Sequence, residues 1–314
     1  MSLIPTSKDL IYSRNDPTDK RLGELIHFSK IENLTKNSFC LLGYPDDAGI
    51  RMNGGRPGAN EAPNAIRQIF FKMTPDVFHS NLPQIFDVGN IQPENNIQKT
   101  HDLAYKYALQ ILKKTRLISL GGGHDFGYPD AAAFLDSVTP ETLPLILNFD
   151  AHLDVRPTDQ GFHSGTPFRR LLEKYHGKFD FIELGIQPQC NSREHYSWAL
   201  SKGVHIISNE VLQRKGLLEV LTETLEPNPN RPLWLSLDID AFTSNEAPGC
   251  SQSWPTGISI QNFLPALHWL NQNFDCKGLG LYEVSPPLDQ DNRTSKLAAL
   301  ILHHFISNQK ESFR

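Results

Sequence analysis

No two cysteines in this chain stand close enough to form a CxxC pair. The four present, Cys40, Cys190, Cys250 and Cys276, are scattered along the sequence. Such spacing argues against a thiolate zinc motif or a disulfide framework, so reduced thiols in a cytoplasm are expected. A basic excess is missing too. Thirty Lys and Arg against 35 Asp and Glu leave a net charge of −5, which offers nucleic acid no electrostatic footprint. No apolar run reaches the roughly 18 residues that a membrane-spanning helix needs. The start of the chain has no basic region followed by an apolar one, so no signal peptide is expected. Internal repeats, low-complexity stretches and linkers are also lacking.

What is present is ordinary for a soluble globular protein. Of 314 residues, 39% are hydrophobic and 21% charged, enough for a sizeable core. Residues 1–37 are polar and irregular, with one helical patch at 22–28, and read as an N-terminal arm. Residues 38–314 read as a single α/β domain. Short apolar strands are predicted at 38–43, 83–88, 116–120, 143–149, 179–186, 204–207, 233–237 and 278–282. Helical patterns intervene at 62–68, 97–114, 210–225, 260–271 and 294–306. Strands that lack polar alternation are buried on both faces, which implies a parallel sheet between two layers of helices. In such sheets ligands bind beyond the carboxyl ends of the strands.

Three of those ends carry unusual polar groups. Asp150, His152 and Asp154 alternate after the strand at 143–149. In extended chain, side chains two apart share a face. Asp238 and Asp240 repeat the pattern after 233–237. His124 follows three glycines after 116–120. Each residue alone has a bland explanation as a cap, an ion pair or a loop residue. Together, four carboxylates and two imidazoles carry too much negative charge for one buried site without cations. The set fits two divalent ions, and hard oxygen ligands with imidazole suit Mn²⁺, with Zn²⁺, Fe²⁺ or Co²⁺ also possible. Two such ions can share and acidify a water, which points to hydrolysis.

The segments Gly121-Gly122-Gly123-His124-Asp125, Phe149-Asp150-Ala151-His152-Leu153-Asp154 and Ser236-Leu237-Asp238-Ile239-Asp240 resemble, in order and spacing, the three signature motifs of the ureohydrolases. That family contains arginase, agmatinase and formimidoylglutamase. The resemblance runs from about residue 41 to 306, and Gly55-Arg56-Pro57-Gly58-Ala59 looks like its N-terminal segment. It implies an arginase-like three-layer α/β/α fold around an eight-stranded, mostly parallel sheet. It also implies a two-manganese site that hydrolyses a C–N bond of a small guanidine or amidine, and a homo-oligomer, trimer or hexamer. By the same resemblance Glu283 faces the substrate's planar cation, which a carboxylate suits chemically. The ligand set and Glu283 make Asp154 the expected proton carrier, and the resemblance implies that Asn191 lies in a loop that contacts the substrate.

Arg156 stands where arginases usually have Asn. A guanidinium there suggests a more anionic substrate tail, gripped bidentately, and Arg51 could add a second positive contact. Together with Ser164-Gly165-Thr166-Pro167-Phe168, this looks like the formimidoylglutamase branch, acting on N-formimidoyl-L-glutamate. The alternatives are ureohydrolases that release urea from arginine, agmatine or a guanidino acid, and a non-catalytic metal-binding relative. The position of the family's proton-shuttle histidine is Ser164, with His163 one residue earlier as the expected assistant.

Overall fold

The computed structural model describes residues 3–78, 82–139 and 141–310. Nine strands form one sheet: β1 His27–Phe28, β2 Phe39–Gly43, β3 Ile85–Asn90, β4 Arg116–Leu120, β5 Leu145–Phe149, β6 Asp180–Ile186, β7 His205–Ser208, β8 Pro232–Asp238 and β9 Asp275–Tyr282. Their order is β1-β3-β2-β4-β9-β8-β5-β6-β7. Every pairing is parallel.

Alternation along the strands supplies two cores. Phe39, Leu41, Leu145, Leu147 and Phe149 face one hydrophobic cluster, while Cys40, Leu42 and Ile146 face the other. The first cluster is closed by α3 (Ala62–Phe70), α8 (Asn209–Lys215), α9 (Leu217–Thr224), α10 (Ile260–Asn273) and α11 (Arg293–Ser307). The second is closed by α4 (Ile97–Leu112), α5 (Gly127–Ser137), α6 (Pro167–Lys174) and α7 (Arg193–Ser201). Two short helices, α1 (Leu22–Leu25) and α2 (Ala48–Met52), complete the set. This is the three-layer arrangement that the apolar strands implied.

The sheet has nine strands, not eight. The extra one is β1, two residues of the N-terminal segment that pair with Phe86 and Asp87 at the sheet edge. Both are exposed, so no apolar run marks them in the sequence. The helix expected over 210–225 is two helices, because Gly216 adopts φ +91° between them. That left-handed backbone is open to glycine and costly for other residues. Helices α5, α6 and α7 stand where none was expected. Arg67 of α3 is fully buried and forms a bidentate pair with Asp87 of β3 at 2.8 and 3.0 Å. Among the described residues no helix is long and apolar enough to cross a membrane.

Candidate functional site

Strands β4, β9, β8 and β5 are neighbours at the centre of the sheet, and their carboxyl ends meet at one place. His124 follows β4, Glu283 follows β9, Asp238 ends β8, and Asp150 follows β5. Residues far apart in sequence therefore converge because the strands are parallel. Local backbone then aims the side chains. Gly122 (φ +88°) turns the chain after β4, and a β-carbon there would lie 2.7 Å from the Tyr44 carbonyl oxygen and 2.8 Å from that of Asp46. Asp154 (φ +50°) and Glu283 (φ +64°) are both left-handed. Non-glycine residues are uncommon there, and such strain gathers at functional sites.

The structure brings all six expected ligands together as two groups that share Asp150: His124, Asp150, Asp154 and Asp238 in one, Asp150, His152 and Asp240 in the other. His124 Nδ1 lies 2.9 Å from Asp150, 3.1 Å from Asp154 and 3.2 Å from Asp238. Yet this buried nitrogen makes no hydrogen bond of acceptable geometry. His152 Nδ1 is 3.0 Å from Asp240 and 3.4 Å from Asp150. The other face of the His124 ring is fixed: Nε2 lies 2.9 Å from Ser236 Oγ, and Tyr282 stacks on the ring at 5.0 Å. With Nε2 donating to Ser236, Nδ1 is the nitrogen left facing the three carboxylates, where its lone pair would be available to a metal ion.

The electrostatics of the site carry the same mismatch. Burial pushes Asp154 up to about 6, helped by the charge of Asp150. Burial lifts Glu283 to about 8 against the stabilising His124 N–H. Burial also raises Asp238, with Asp240 and Asp150 adding to it. Burial opposes charge on His124, but the facing carboxylates outweigh it and hold the ring well above an ordinary imidazole. The protein groups alone therefore do not ionise together. An orphaned imidazole nitrogen among carboxylates, with one carboxylate common to both groups, fits two adjacent divalent cations.

The site opens into a cavity of about 300 Å³, which suits an amino-acid-sized ligand. Its floor carries His152, Asp154, Asp238, Asp240 and Glu283. Glu283 Oε1 accepts from the His124 N–H at 3.0 Å, and the Glu283 N–H donates to the Gly122 carbonyl at 2.9 Å, which ties the acid to the glycine turn. Arg156, Asn53, Ser164, Ser192, His195 and Gln252 are on the walls. The cavity is thus acidic at its base and cationic or neutral above.

The remaining expected residues fall differently. Arg156 lines the cavity, and its guanidinium has no ion-pair or hydrogen-bond partner among the described residues. Asn191 lines it too, but its amide is spent on backbone: it donates to the carbonyls of Ala151 and Gln187 and accepts from the Leu153 N–H. It clamps the ligand-bearing segment. Arg51 is exposed, pairs with Asp47 at 2.9 Å and does not line the cavity. His163 is turned onto its own loop, where Nδ1 accepts from the Gly165 N–H at 3.2 Å; Ser164 is the residue presented to the cavity. Sequence reasoning missed Ser236 as the partner of His124, although it alternates with Asp238 on one face of β8. It also missed Asp130, a buried carboxyl that accepts from the hydroxyls of Tyr44 and Tyr282.

The model of the arginase family matches residues 37–307. The chain belongs to the arginase family. Among its relatives, a formimidoylglutamase of Streptococcus pyogenes is 31% identical over 281 residues, covering 85% of this chain and 84% of that protein. The crystal structure of formimidoylglutamase from Bacillus subtilis superposes with a TM-score of 0.82 at 26% identity, over 95% of this chain and 94% of the other. Trypanosoma cruzi formiminoglutamase, crystallised with Mn²⁺, shares the fold with a TM-score of 0.80 at 24% identity, over 92% and 98%.

Proposed function

We propose that this protein hydrolyses N-formimidoyl-L-glutamate to L-glutamate and formamide, using two Mn²⁺ ions held by His124, Asp150, His152, Asp154, Asp238 and Asp240. The observation that carries this reading is the polarity of one cavity. Carboxylates crowd its floor, and an unpaired guanidinium, Arg156, stands on its wall. The complement is a small molecule with a cationic amidine head and an anionic tail. The similar formimidoylglutamases of S. pyogenes and B. subtilis support the same substrate, and the Mn²⁺ in the T. cruzi enzyme supports the metal.

Bound at the two ligand groups, the ions supply an acidified water and positive charge for the oxygen that becomes anionic as the carbon is attacked. The chain's own groups do the rest. Glu283, oriented through one oxygen by the His124 N–H, faces the planar amidinium and fixes it. Arg156 takes a carboxylate of the tail. Asp154 receives the proton of the attacking water and returns it to the departing glutamate nitrogen. A C–O bond forms at the formimidoyl carbon and its bond to that nitrogen breaks. His163 has no step in this scheme. Assembly as a trimer or hexamer and a cytoplasmic location belong to the proposal, and light scattering measures the first.

Product analysis of the manganese-loaded protein tests the reading. L-Glutamate and formamide should appear in equal amounts. Urea from arginine, agmatine or a guanidino acid at a comparable rate would overturn it.

A further inference from the structure

A buried acid lies behind the ligand row, outside the cavity. Asp130 of α5 is fully buried and accepts from the Tyr44 hydroxyl at 2.5 Å and from the Tyr282 hydroxyl at 2.6 Å. The groups that act on its carboxyl are the hydroxyls of Ser119, Tyr282 and Tyr44, with no cation among them. Hydrogen bonds to a carboxylate are shorter and stronger than neutral ones, so each phenol is fixed in return. The two rings are anchored alike but back onto different neighbours. Tyr44 stacks on Phe126, with centroids 4.6 Å apart at 12°. Tyr282 stacks on the His124 imidazole, at 5.0 Å and 24°. Phe168 meets the same imidazole edge-on at 5.4 Å, and Ser236 holds its Nε2.

The sheet makes room for this arrangement. Gly280 precedes Tyr282 by two residues on β9, so both positions belong to one face. Its register partners are Ser119 of β4 and Ser236 of β8. A β-carbon at Gly280 would overlap the hydroxyl end of Tyr282. The missing side chain is therefore the slot into which the phenol folds. One row across three strands thus serves the whole cluster: Ser119 donates to the Tyr44 hydroxyl, Gly280 houses the Tyr282 ring, and Ser236 holds the His124 imidazole.

We infer that Asp130 is a positioning residue for the metal site: by anchoring the Tyr282 hydroxyl it holds that ring against His124 and keeps the imidazole Nδ1 aimed at Asp150, Asp154 and Asp238. This rests on the two-metal reading above and deepens it. The effect passes through Tyr282, which bonds Asp130 at its hydroxyl and packs on His124 along its face. Released from the carboxylate, the phenol can tilt, and the imidazole gains room to turn about its Cβ–Cγ bond. A ligand that must be ordered again on binding costs affinity, whereas one whose rotamer is already locked by packing does not.

The test titrates Mn²⁺ into metal-free wild type, Tyr44→Phe, Tyr282→Phe, Asp130→Asn and Asp130→Ala, with urea unfolding of each metal-free protein beside it. Tyr44→Phe is the control, since it takes a hydroxyl from the same carboxylate while its ring packs on Phe126. Both phenylalanine variants should lose similar unfolding stability. One hydrogen bond of this kind corresponds to about three- to tenfold in an equilibrium constant. The Mn²⁺ dissociation constant should rise by that factor in Tyr282→Phe and by at least as much in Asp130→Ala. Asp130→Asn, which keeps one acceptor oxygen, should fall between wild type and Asp130→Ala, and Tyr44→Phe should stay within about twofold of wild type. Wild-type affinity in Tyr282→Phe and Asp130→Ala overturns the inference. An equal rise in Tyr44→Phe overturns it too, because the cluster would then act on the fold as a whole. A wild type that takes up no Mn²⁺ overturns the two-metal reading itself, which separates the two failures. Should Asp130→Ala fail to fold, the two phenylalanine variants decide.

Discussion

Ser236→Ala is the perturbation that isolates how the fold holds His124, one of the six proposed metal ligands. Ser236 is fully buried, and its hydroxyl oxygen lies 2.9 Å from His124 Nε2. Nδ1 of the same ring faces three carboxylates at 2.9 to 3.2 Å. Alanine removes the acceptor and leaves a buried N–H alone, which costs roughly 1–3 kcal/mol. The metal-free protein can relieve part of that cost, because its ring can carry a single proton on Nδ1, facing Asp150 at 2.9 Å. The metal-bound protein cannot, since Nδ1 must then be a lone-pair donor. Most of the cost therefore falls on metal affinity, and losing the hydrogen-bond partner of a ligating imidazole is worth about 10–100-fold. Titration of Mn²⁺ into metal-free wild type and variant, followed by calorimetry or by the electron paramagnetic resonance signal of free Mn²⁺, reads the ratio of dissociation constants. An affinity within twofold of wild type would refute the idea that Ser236 sets the His124 tautomer.

Three further outcomes follow from other parts of the molecule. Burial pushes the Asp130 carboxyl up to about 6 although Tyr282 donates to it at 2.6 Å, so its stabilising contribution is fully present below about pH 3.8 and is lost as pH rises through about 6. That is about 3 kcal/mol by linkage, and Asp130→Asn should flatten urea-unfolding stability across pH 4–7; an unchanged slope would assign it to other groups. Arg67→Met leaves Asp87 as an uncompensated buried charge and should cost about 3–5 kcal/mol in chemical unfolding, with part of it recovered in the Arg67→Met, Asp87→Asn double variant. Glu283→Gln keeps an acceptor for the His124 N–H but loses the charge that faces the amidinium, so kcat/KM should drop by about 100-fold or more with Mn²⁺ content unchanged by elemental analysis.

The central strands and the convergence of the six candidate ligand residues were legible because each follows from a local pattern. Arg116–Leu120 carries Leu117, Ile118 and Leu120 and ends in glycines, and Asp150, His152 and Asp154 announce themselves by alternation. Convergence of the strand ends then follows from a parallel sheet. Other features depend on contacts that no window of sequence contains. β1 exists only because two exposed residues find the edge at Phe86 and Asp87. α5 is buried on several sides at once, Ala131, Ala132, Ala133 and Phe134 being inaccessible, so no polar face gives it a helical period. Asn191 looks like a contact residue in the sequence and is a clamp in the fold, because its amide meets Ala151, Leu153 and Gln187. The offset of His163 from Ser164 is one residue in sequence. In space it decides which side chain meets the cavity, since Thr166 and Gly165 bind His163 to its own loop.

One measurement bears most directly on a two-metal amidine hydrolase with an anionic-tail preference: formamide release from N-formimidoyl-L-glutamate while Mn²⁺ is titrated into metal-free protein. Activity should be absent without metal and reach its plateau at two equivalents per chain, with no urea formed from L-arginine under the same conditions. Full activity in metal-free protein, or urea release in place of formamide, would contradict it.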